Sequence, residues 1–372
     1  MRYLRLQETL DILYGCAVLA SGGGGYLERG VKVVGKHFSG GETLSLASVS
    51  EVPSDQIVAS PYYAGALVPE SERTKIDLPK RYKNEVLKAF EILQDHIGRK
   101  FYGCLPIELG GENTAVAIDV AMNFGIKLID ADTAGRSVPE VRQSSFFAAN
   151  VPITPLSIVT RFGDVLVVNE IVDYPRAEKL IRNIAGMSAN VVGIASHPVS
   201  GNTLRKAAIA DTVSMAERLG NVLRESQKRG HDPVERLLIA GNGYLLFEGK
   251  VKEDSQWKEA GGFTIGEHKI RGLKKFYGHD YRIWFKNENM ISWVDRKLDV
   301  TAPDIITVVD RITGVPMTNP DLRKGMDVAV LGFKSNSVWR KKRALNIISP
   351  KSLGFDLPYV PIESSHKFFS PI

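Results

Sequence analysis

The chain has 372 residues, of which 44% are hydrophobic and 24% are charged, and its formal net charge is +6 at neutral pH. This length and composition predict an ordinary globular protein with roughly two or three buried cores. Its two cysteines, Cys16 and Cys104, exclude a disulfide framework and an all-cysteine zinc site. The apolar run from Leu10 to Ala20 is shorter than the roughly 20 residues that cross a bilayer, so we expect no membrane segment, no signal peptide and a cytoplasmic location.

Helical and strand-like segments alternate from the start of the chain to about residue 165. Helical patterns occur at 6–20 and 82–98, and β-prone runs occur at 55–60, 100–107 and 126–131. Residues 113–125 predict a helix with Asn113 as its N-cap and Gly125 at its end. A strand, a glycine turn, a helix and a strand therefore follow one another, which predicts a βαβ unit in a mostly parallel sheet with helices on both faces.

The second half of the chain has a different pattern of predicted elements. One long helix is predicted over 202–229, ending before Gly230. Short strands punctuated by glycine and proline follow, at 243–252, 261–272, 281–294 and 304–317. This pattern predicts an antiparallel β-barrel or sandwich. We therefore predict an α/β protein with two domains, 1–168 and 169–366.

A glycine-rich turn follows the first predicted helix. It consists of Ser21, Gly22, Gly23, Gly24 and Gly25. The spacing fits neither a Walker loop nor a dinucleotide fingerprint. Bare backbone at such a turn can bind an anion or a planar polar ligand, or it can serve tight packing alone. The glycines by themselves leave both interpretations open.

The segment "PIELGGEN", residues 106–113, places Glu108 where a strand is predicted to end, and Gly110 and Gly111 just before the helix that starts at Asn113. Ligands bind at that edge of open α/β sheets, where helix N-termini supply free N–H groups. Alternatively, Glu108 only caps the helix. We favour a functional role.

The segment "LIDADTAGRSVPEV", residues 128–141, carries Asp130 and Asp132 at the end of the next apolar strand, followed by Arg136 and Glu140. Alternation along a strand places both aspartates on one face, where they could bind a cation or supply a general base of raised pKa. A purely structural interpretation is that Asp132 caps a turn and Arg136 pairs with Glu140.

Further catalytic patterns are weak. No histidine pair has metal-ligand spacing, and His197 is the one histidine that we consider as a ligand, although a lone histidine more often serves packing. There is no Gly-x-Ser-x-Gly elbow and no base beside either cysteine, which disfavours an acyl-enzyme. The basic cluster at 338–343, with Trp339 for stacking, suggests nucleic-acid binding, but a solvated loop explains it equally well and no nucleic-acid module accompanies it.

Nine segments in order resemble the S-methyl thiohydantoin desulfurase-like family, long known only as a domain of unknown function. The match runs from about residue 8 to residue 363, and the segments read "ASGGGGY", "PIELGGENTAVAI", "DADTAGRSVPEV", "FEGKV", "GGFTIG", "NENMISW", "APDIITVVDRITGVPM", "LRKGMDVAVLG" and "SPKSLGFDLPYVPIE". The resemblance implies an N-terminal three-layer α/β/α domain and a C-terminal β-barrel-like domain. It also implies a hydrolase that acts on a five-membered thiohydantoin or hydantoin-like ring, in a group linked to hydantoinase and oxoprolinase systems.

A mechanistic hypothesis assigns roles to the candidate residues. Asp130 or Asp132 acts as base or metal ligand, Glu108 contacts a ring N–H, and Arg136 with the glycine amides polarises the ring. The candidate substrate-binding residues are Ser21, Gly22, Gly23, Gly24, Gly25, Gly110, Gly111, Asn113 and Glu140. The cofactor is undetermined, with a divalent metal such as zinc as one option and Asp130, Asp132 and His197 as its candidate ligands.

Two positions depart from the family pattern. Tyr26 replaces an acidic residue after the glycines, and Ala20-Ser21 replaces a Gly-Thr pair before them. A changed substrate, or a member without the named activity, is therefore a competing hypothesis. Two more hypotheses are a non-catalytic accessory subunit of a hydantoinase or oxoprolinase-type enzyme, and nucleic-acid binding through 338–343. We expect a homo-oligomer with a small-molecule substrate.

Overall fold

The computed structural model describes residues 1–65 and 75–367. The α-helices in these residues are α1 (Leu6–Leu19), α2 (Leu27–Gly35), α3 (Glu85–Ile97), α4 (Asn113–Phe124), α5 (Ser145–Ala148), α6 (Tyr174–Gly186), α7 (Gly201–Ala207), α8 (Thr212–Arg229), α9 (Pro233–Gly241), α10 (Lys342–Leu345) and α11 (Ile362–Ser365). The predicted helices at 6–20, 82–98 and 113–125 are confirmed as α1, α3 and α4. The N-cap of α4 is Glu112 rather than Asn113, and Gly125 ends the helix in the left-handed conformation.

The strands divide into two large groups and one small pair. The first group is β1 (Arg2–Leu4), β2 (Leu44–Ala47), β3 (Ile57–Gly65), β4 (Gly103–Cys104), β5 (Lys127–Ile129), β7 (Leu156–Val159), β8 (Val165–Val168) and β9 (Val191–Ser200). The small pair is β6 (Ala131–Asp132) with β10 (Ile209–Ala210). The second group is β11 (Tyr244–Val251), β12 (Gln256–Ala260), β13 (Phe263–Gly272), β14 (Asp280–Lys286), β15 (Glu288–Val294), β16 (Lys297–Thr301), β17 (Ile305–Asp310) and β18 (Asp327–Phe333).

The first group forms a mixed sheet in the order β1-β2-β5-β4-β3-β9-β7-β8. Strands β2, β5, β4 and β3 are parallel, and the outer strands on both sides are antiparallel. Successive residues of its strands enter different layers: Leu128 packs in the core that contains α1, α3 and α4, whereas Ile129 packs in the core that contains α7. The sheet therefore has helices on both faces, as the βαβ pattern predicts.

Strand β9 follows the predicted division at residue 168, yet it pairs with β3 in the interior of the first sheet. The division into 1–168 and 169–366 stays a prediction.

The predicted helix over 202–229 is wrong in one respect, because the chain leaves the helix between α7 and α8. There β10 pairs with β6, and Asp211 adopts the left-handed conformation with a φ of 63°. Non-local pairing with residues 131–132 overrides a continuous helical pattern at this point. Helix α8 then runs to Arg229 and ends at Gly230 as predicted.

The second group forms an antiparallel sheet in the order β16-β15-β14-β13-β11-β18-β17, with β12 added on β13. The α/β class with a second, all-antiparallel part is thus confirmed. Within the described residues, β16 and β17 form the two edges, so hydrogen bonds do not close this sheet into a barrel. Its interior is a separate apolar cluster that includes Phe247, Ile283 and Val330.

Candidate active site

A cavity of about 630 Å³ lies where the parallel strands β3 and β4 end, the edge at which α/β sheets bind ligands. Residues of the first sheet's loops form one side, and the start of β15 forms another. The polar lining includes Glu108, Glu112, Asn113, Glu140, Glu178, Arg182 and Glu288. This volume lies within the range of pockets that hold drug-sized ligands.

Glu108 lines this cavity, and both oxygens of its carboxylate accept hydrogen bonds from the protein. Its Oε1 accepts a hydrogen bond from Asn113 Nδ2 at 2.7 Å, and its Oε2 accepts one from the Val138 N–H at 2.6 Å. Burial raises the pKa of Glu108 to about 7, although these donors and the nearby Arg136 charge oppose the shift. A carboxyl with this pKa can accept or donate a proton near neutral pH.

Glu288 is the second carboxyl of the cavity, and sequence reasoning did not select it. Asn287, with a φ of 58°, reverses the chain so that Glu288 is the first residue of β15. The residue is 3% exposed, Oε1 accepts a hydrogen bond from Ser137 Oγ at 3.1 Å, and Oε2 is buried without a hydrogen-bond partner. An unpartnered buried carboxyl oxygen is costly and indicates an atom that a ligand or water would pair. The only sequence signal was the acid in the segment "NENMISW".

Glu108 and Glu288 influence each other's protonation. Burial raises the pKa of Glu288 well above its usual value, and the negative charge of Glu108 raises it further, while the Arg136 guanidinium lowers it. Two neighbouring carboxyls in a buried site cannot both ionise easily, so one retains its proton when the other is charged. Such a pair could supply one proton acceptor and one proton donor.

The glycine turn lies at this cavity but mainly serves packing. Gly23, Gly24 and Gly25 are among the lining residues, whereas Ser21 and Gly22 are not. The Gly24 carbonyl accepts hydrogen bonds from the N–H groups of Glu112, at 3.0 Å, and Asn113. A side chain at Gly24 would collide with the backbone of Gly110, and one at Gly23 would collide with the Glu288 carboxylate. The bare backbone accommodates the protein's own atoms, so the packing interpretation holds for most of these glycines.

The backbone of Gly110 and Gly111 also packs closely rather than facing a ligand. A side chain at Gly110 would meet the backbone of Gly24, and one at Gly111 would meet Leu27. Neither residue lines the cavity, whereas Asn113, the first residue of α4, does.

Asp130 and Asp132 do not line the cavity, so its geometry does not support their predicted role as base or metal ligand, which stays a prediction. Asp130 accepts hydrogen bonds from the backbone N–H and the hydroxyl of Ser214, which lies in the first turn of α8. Asp132 is fully buried and accepts from the N–H groups of Ala134 and Gly135. Both carboxylates satisfy donors of the fold, which agrees with the structural interpretation of Asp132.

Arg136 is also outside the cavity. The residue is 1% exposed, and its guanidinium donates to the carbonyls of Pro303, Asp304 and Asn289, so it joins the loop after β6 to the second sheet. The predicted Arg136–Glu140 pair is wrong as well. Glu140 lines the cavity and binds Lys286 Nζ and Arg142 Nε.

The predicted metal ligands are not brought together. His197 is fully buried, its Nε2 lies 2.9 Å from the Tyr174 hydroxyl and its Nδ1 lies 2.8 Å from Ser196 Oγ. Burial lowers the pKa of His197 to about 3. Nowhere in residues 1–65 and 75–367 do three or more His, Cys, Asp or Glu side chains gather as a metal site would require. Asp130, Asp132 and His197 therefore do not form a site that fits a divalent metal such as zinc, which the sequence left as one option.

Within the basic cluster at 338–343, Lys341, Lys342 and Arg343 are exposed, whereas Trp339 and Arg340 are held by the fold. Trp339 is fully buried and donates its indole N–H to the Ala134 carbonyl at 2.7 Å. Arg340 forms ion pairs with Asp304 and Glu363. Trp339 is therefore not exposed for stacking on a base.

Comparison with known families identifies the chain. The S-Me-THD-like N-terminal domain matches residues 7–170, and the S-Me-THD-like C-terminal domain matches residues 172–362. The chain belongs to the S-Me-THD-like family. The resemblance of the nine segments to the S-methyl thiohydantoin desulfurase-like family is thereby confirmed.

A solved structure shares the fold of this S-Me-THD-like protein. It is the crystal structure of a protein from Chromobacterium violaceum, with a TM-score of 0.79 and 21% sequence identity, over 97% of this chain and 100% of that chain. No curated protein matches the sequence significantly. Among the residues with described structure, no helix is both long and apolar enough to cross a membrane.

Proposed function

We propose that this S-Me-THD-like protein is a hydrolase of a five-membered thiohydantoin or hydantoin-like ring, and that Glu108 and Glu288 are its catalytic residues. The observation that carries the proposal is the unpartnered Oε2 of Glu288 beside Glu108 in the cavity. The proposal replaces Asp130, Asp132 and Arg136 as reacting groups, because their polar atoms are used by the fold.

The reaction that this pair suits is the release of methanethiol from an S-methylated thiohydantoin. Water must attack a ring carbon that is doubly bonded to nitrogen and singly bonded to sulfur. Ionised Glu108 takes one proton from the water as the C–O bond forms, and protonated Glu288 gives its proton to the ring nitrogen. The product of this step is a tetrahedral carbon that carries hydroxyl, nitrogen and sulfur substituents.

The second step returns both carboxyls to their starting states. The C–S bond breaks, the leaving sulfur takes the proton held by Glu108, and the hydroxyl proton passes to Glu288 as the C=O bond forms. One water is consumed, and one ring imide and one methanethiol are produced. Asn113 and the Val138 N–H hold Glu108 in place during both steps, so they act as positioning groups.

Methanethiol release from an S-methyl thiohydantoin tests the proposal. Glu108→Gln and Glu288→Gln should each lower turnover about a hundredfold or more, the scale of losing a general acid or base. Glu267→Gln is the matched control, because Glu267 lies on β13 and pairs with Arg282 away from the cavity. Circular dichroism checks that all three variants are folded.

The outcomes separate the proposal from its rivals. Loss of turnover in both cavity variants but not in the control supports it. Full turnover in either cavity variant overturns the assignment of that residue. Absence of turnover in the parent chain, together with binding of the ring, would instead favour a non-catalytic ligand-binding or accessory subunit role.

A further inference from the structure

The first sheet ends on one side at β8, and the outer edge of this strand is open. Strand β8 is last in the order of the sheet and pairs with β7. In residues 1–65 and 75–367, no backbone hydrogen bond from outside this pair reaches Val165–Val168. The N–H and C=O groups on the outer edge therefore point away from the sheet and can pair with a further strand.

The side chains of β8 lack the features by which edge strands usually avoid such pairing. Leu166 and Val168 pack in the apolar cluster that contains residues of α6. Val165 and Val167 point to the other face and are 40% and 36% exposed. The strand contains no charged residue, no proline and no bulge, which are the usual protections of an edge.

The other sheet edges in the described residues carry some of these protections. Strand β1, on the opposite side of the first sheet, has three residues, and its Arg2 forms an ion pair with Glu217. Strands β12 and β16 contain lysine and acidic side chains. Strand β17 is buried against α1, where the Thr307 hydroxyl donates to the Val18 carbonyl. Among these edges, β8 is therefore the one suited to pairing with another chain.

A second copy of β8 fits this edge because the strand is complementary to itself. In antiparallel pairing about a two-fold axis normal to the sheet at Leu166, Val165 of one copy lies opposite Val167 of the other. Leu166 then lies opposite its own counterpart. Opposite residues of an antiparallel pair point to the same face, so valines meet on the exposed face and leucines meet on the face of α6.

Charges at the ends of the strand favour a second copy as the occupant. In this register, Gly163 of one copy lies opposite Asn169 of the other, one residue before Glu170. The Arg81 side chain lies against Gly163, since a side chain added at Gly163 would collide with Arg81 Cδ. Arg81 and Glu170 are both exposed, and neither forms an ion pair within residues 1–65 and 75–367. The two-fold axis brings each arginine toward the glutamate of the other copy.

We infer that β8 is a dimerisation edge, at which two copies of the chain pair antiparallel and extend the first sheet across the two-fold axis. Edge pairing by a short strand covers little surface, so we expect a dimer that dissociates on dilution. The residues of β8 do not line the cavity, so this inference is independent of the proposed function.

Sedimentation equilibrium over a concentration series tests the inference. The parent chain should exchange reversibly between monomer and dimer, and Val167→Lys should raise the dissociation constant about thirtyfold or more, because a lysine in an edge strand opposes pairing. The long lysine side chain can reach solvent at this partly exposed position, so the fold should be retained. Ile312→Lys is the matched control, because Ile312 is 77% exposed after β17 and should leave the dimer unchanged.

Charge exchange tests the register. Arg81→Glu and Glu170→Arg should each weaken the dimer about threefold to tenfold, and the double variant should recover most of the affinity of the parent. Circular dichroism checks that every variant is folded. If Val167→Lys does not fold, the charge exchange decides in its place.

Four outcomes would contradict the inference. A parent that stays monomeric at the highest concentration, an unchanged dimer in folded Val167→Lys, or an equal loss in Ile312→Lys would each overturn the β8 edge as the interface. Additive weakening in the Arg81→Glu/Glu170→Arg variant would overturn the two-fold pairing described above. Each of these results leaves the proposed function standing.

Discussion

Two sets of buried polar side chains lie close together and have different environments. Asp130, Asp132 and Arg136 direct their polar atoms to groups of the fold, whereas Glu108 and Glu288 share a cavity in which Glu288 has an oxygen without a partner. Burial raises the pKa of both Asp132 and Glu108 to about 7. A shifted pKa therefore does not separate structural from reactive carboxyls here, while access and unused hydrogen-bonding capacity do.

The largest effect on stability should come from Arg136. Arg136→Met would remove the buried guanidinium that donates to the carbonyls of Asn289, Pro303 and Asp304, and we expect a loss of about 3–5 kcal/mol in the free energy of unfolding. Arg229→Met is the control, because Arg229 is 67% exposed and should change stability little. Denaturant titration measures both. A small loss of stability in Arg136→Met would contradict a structural role for Arg136.

Glu108 should make stability depend on pH. Its folded-state pKa of about 7 lies above the ordinary value of 4.5, so between these pH values the folded protein keeps a proton that the unfolded chain releases. This contribution is present below about pH 4.5 and is lost as pH rises through 7, by up to about 3 kcal/mol. Glu108→Gln should flatten this decline. Parallel pH profiles of unfolding for the parent and the variant would contradict the cavity environment assigned to Glu108.

Asp132 should affect stability more than chemistry. Asp132→Asn keeps the size but weakens the acceptance of the Ala134 and Gly135 N–H groups, which costs about 1–3 kcal/mol. The turnover of the folded fraction should stay near that of the parent. Combined unfolding and methanethiol assays measure this. A hundredfold loss of turnover in a fully folded variant would indicate that Asp132 takes part in the reaction.

The smallest changes in stability should come from two glycine substitutions, Gly23→Ala and Gly35→Ala. Gly23→Ala places a methyl group against the flexible end of Glu288, so we expect little change in stability but a tenfold to hundredfold loss of turnover, on the order expected for a misplaced catalytic group. Gly35→Ala has open space and a helical φ of −55°, and should stabilise the fold by about 0.4–1 kcal/mol with unchanged turnover. Equal turnover in the two variants would contradict the contact between Gly23 and Glu288.

The amino-acid sequence was enough to predict the elements whose pattern is local. The apolar spacing of α1, α3 and α4 and the glycines that end α4 and α8 predicted those helices, because a helix buries one face and stops where only glycine fits easily. The segment 106–113 likewise placed Glu108 at the edge of the sheet where the cavity lies.

Tertiary structure alone decided which polar groups stay available. The partners of Asp130 come from α8, those of Arg136 come from the second sheet, and Glu288 reaches Glu108 from a position 180 residues later in the chain. The same long-range pairing interrupts the helical pattern at β10. Periodicity records which face of an element is buried, but the hydrogen-bond partner of a buried carboxyl depends on segments that only folding brings together.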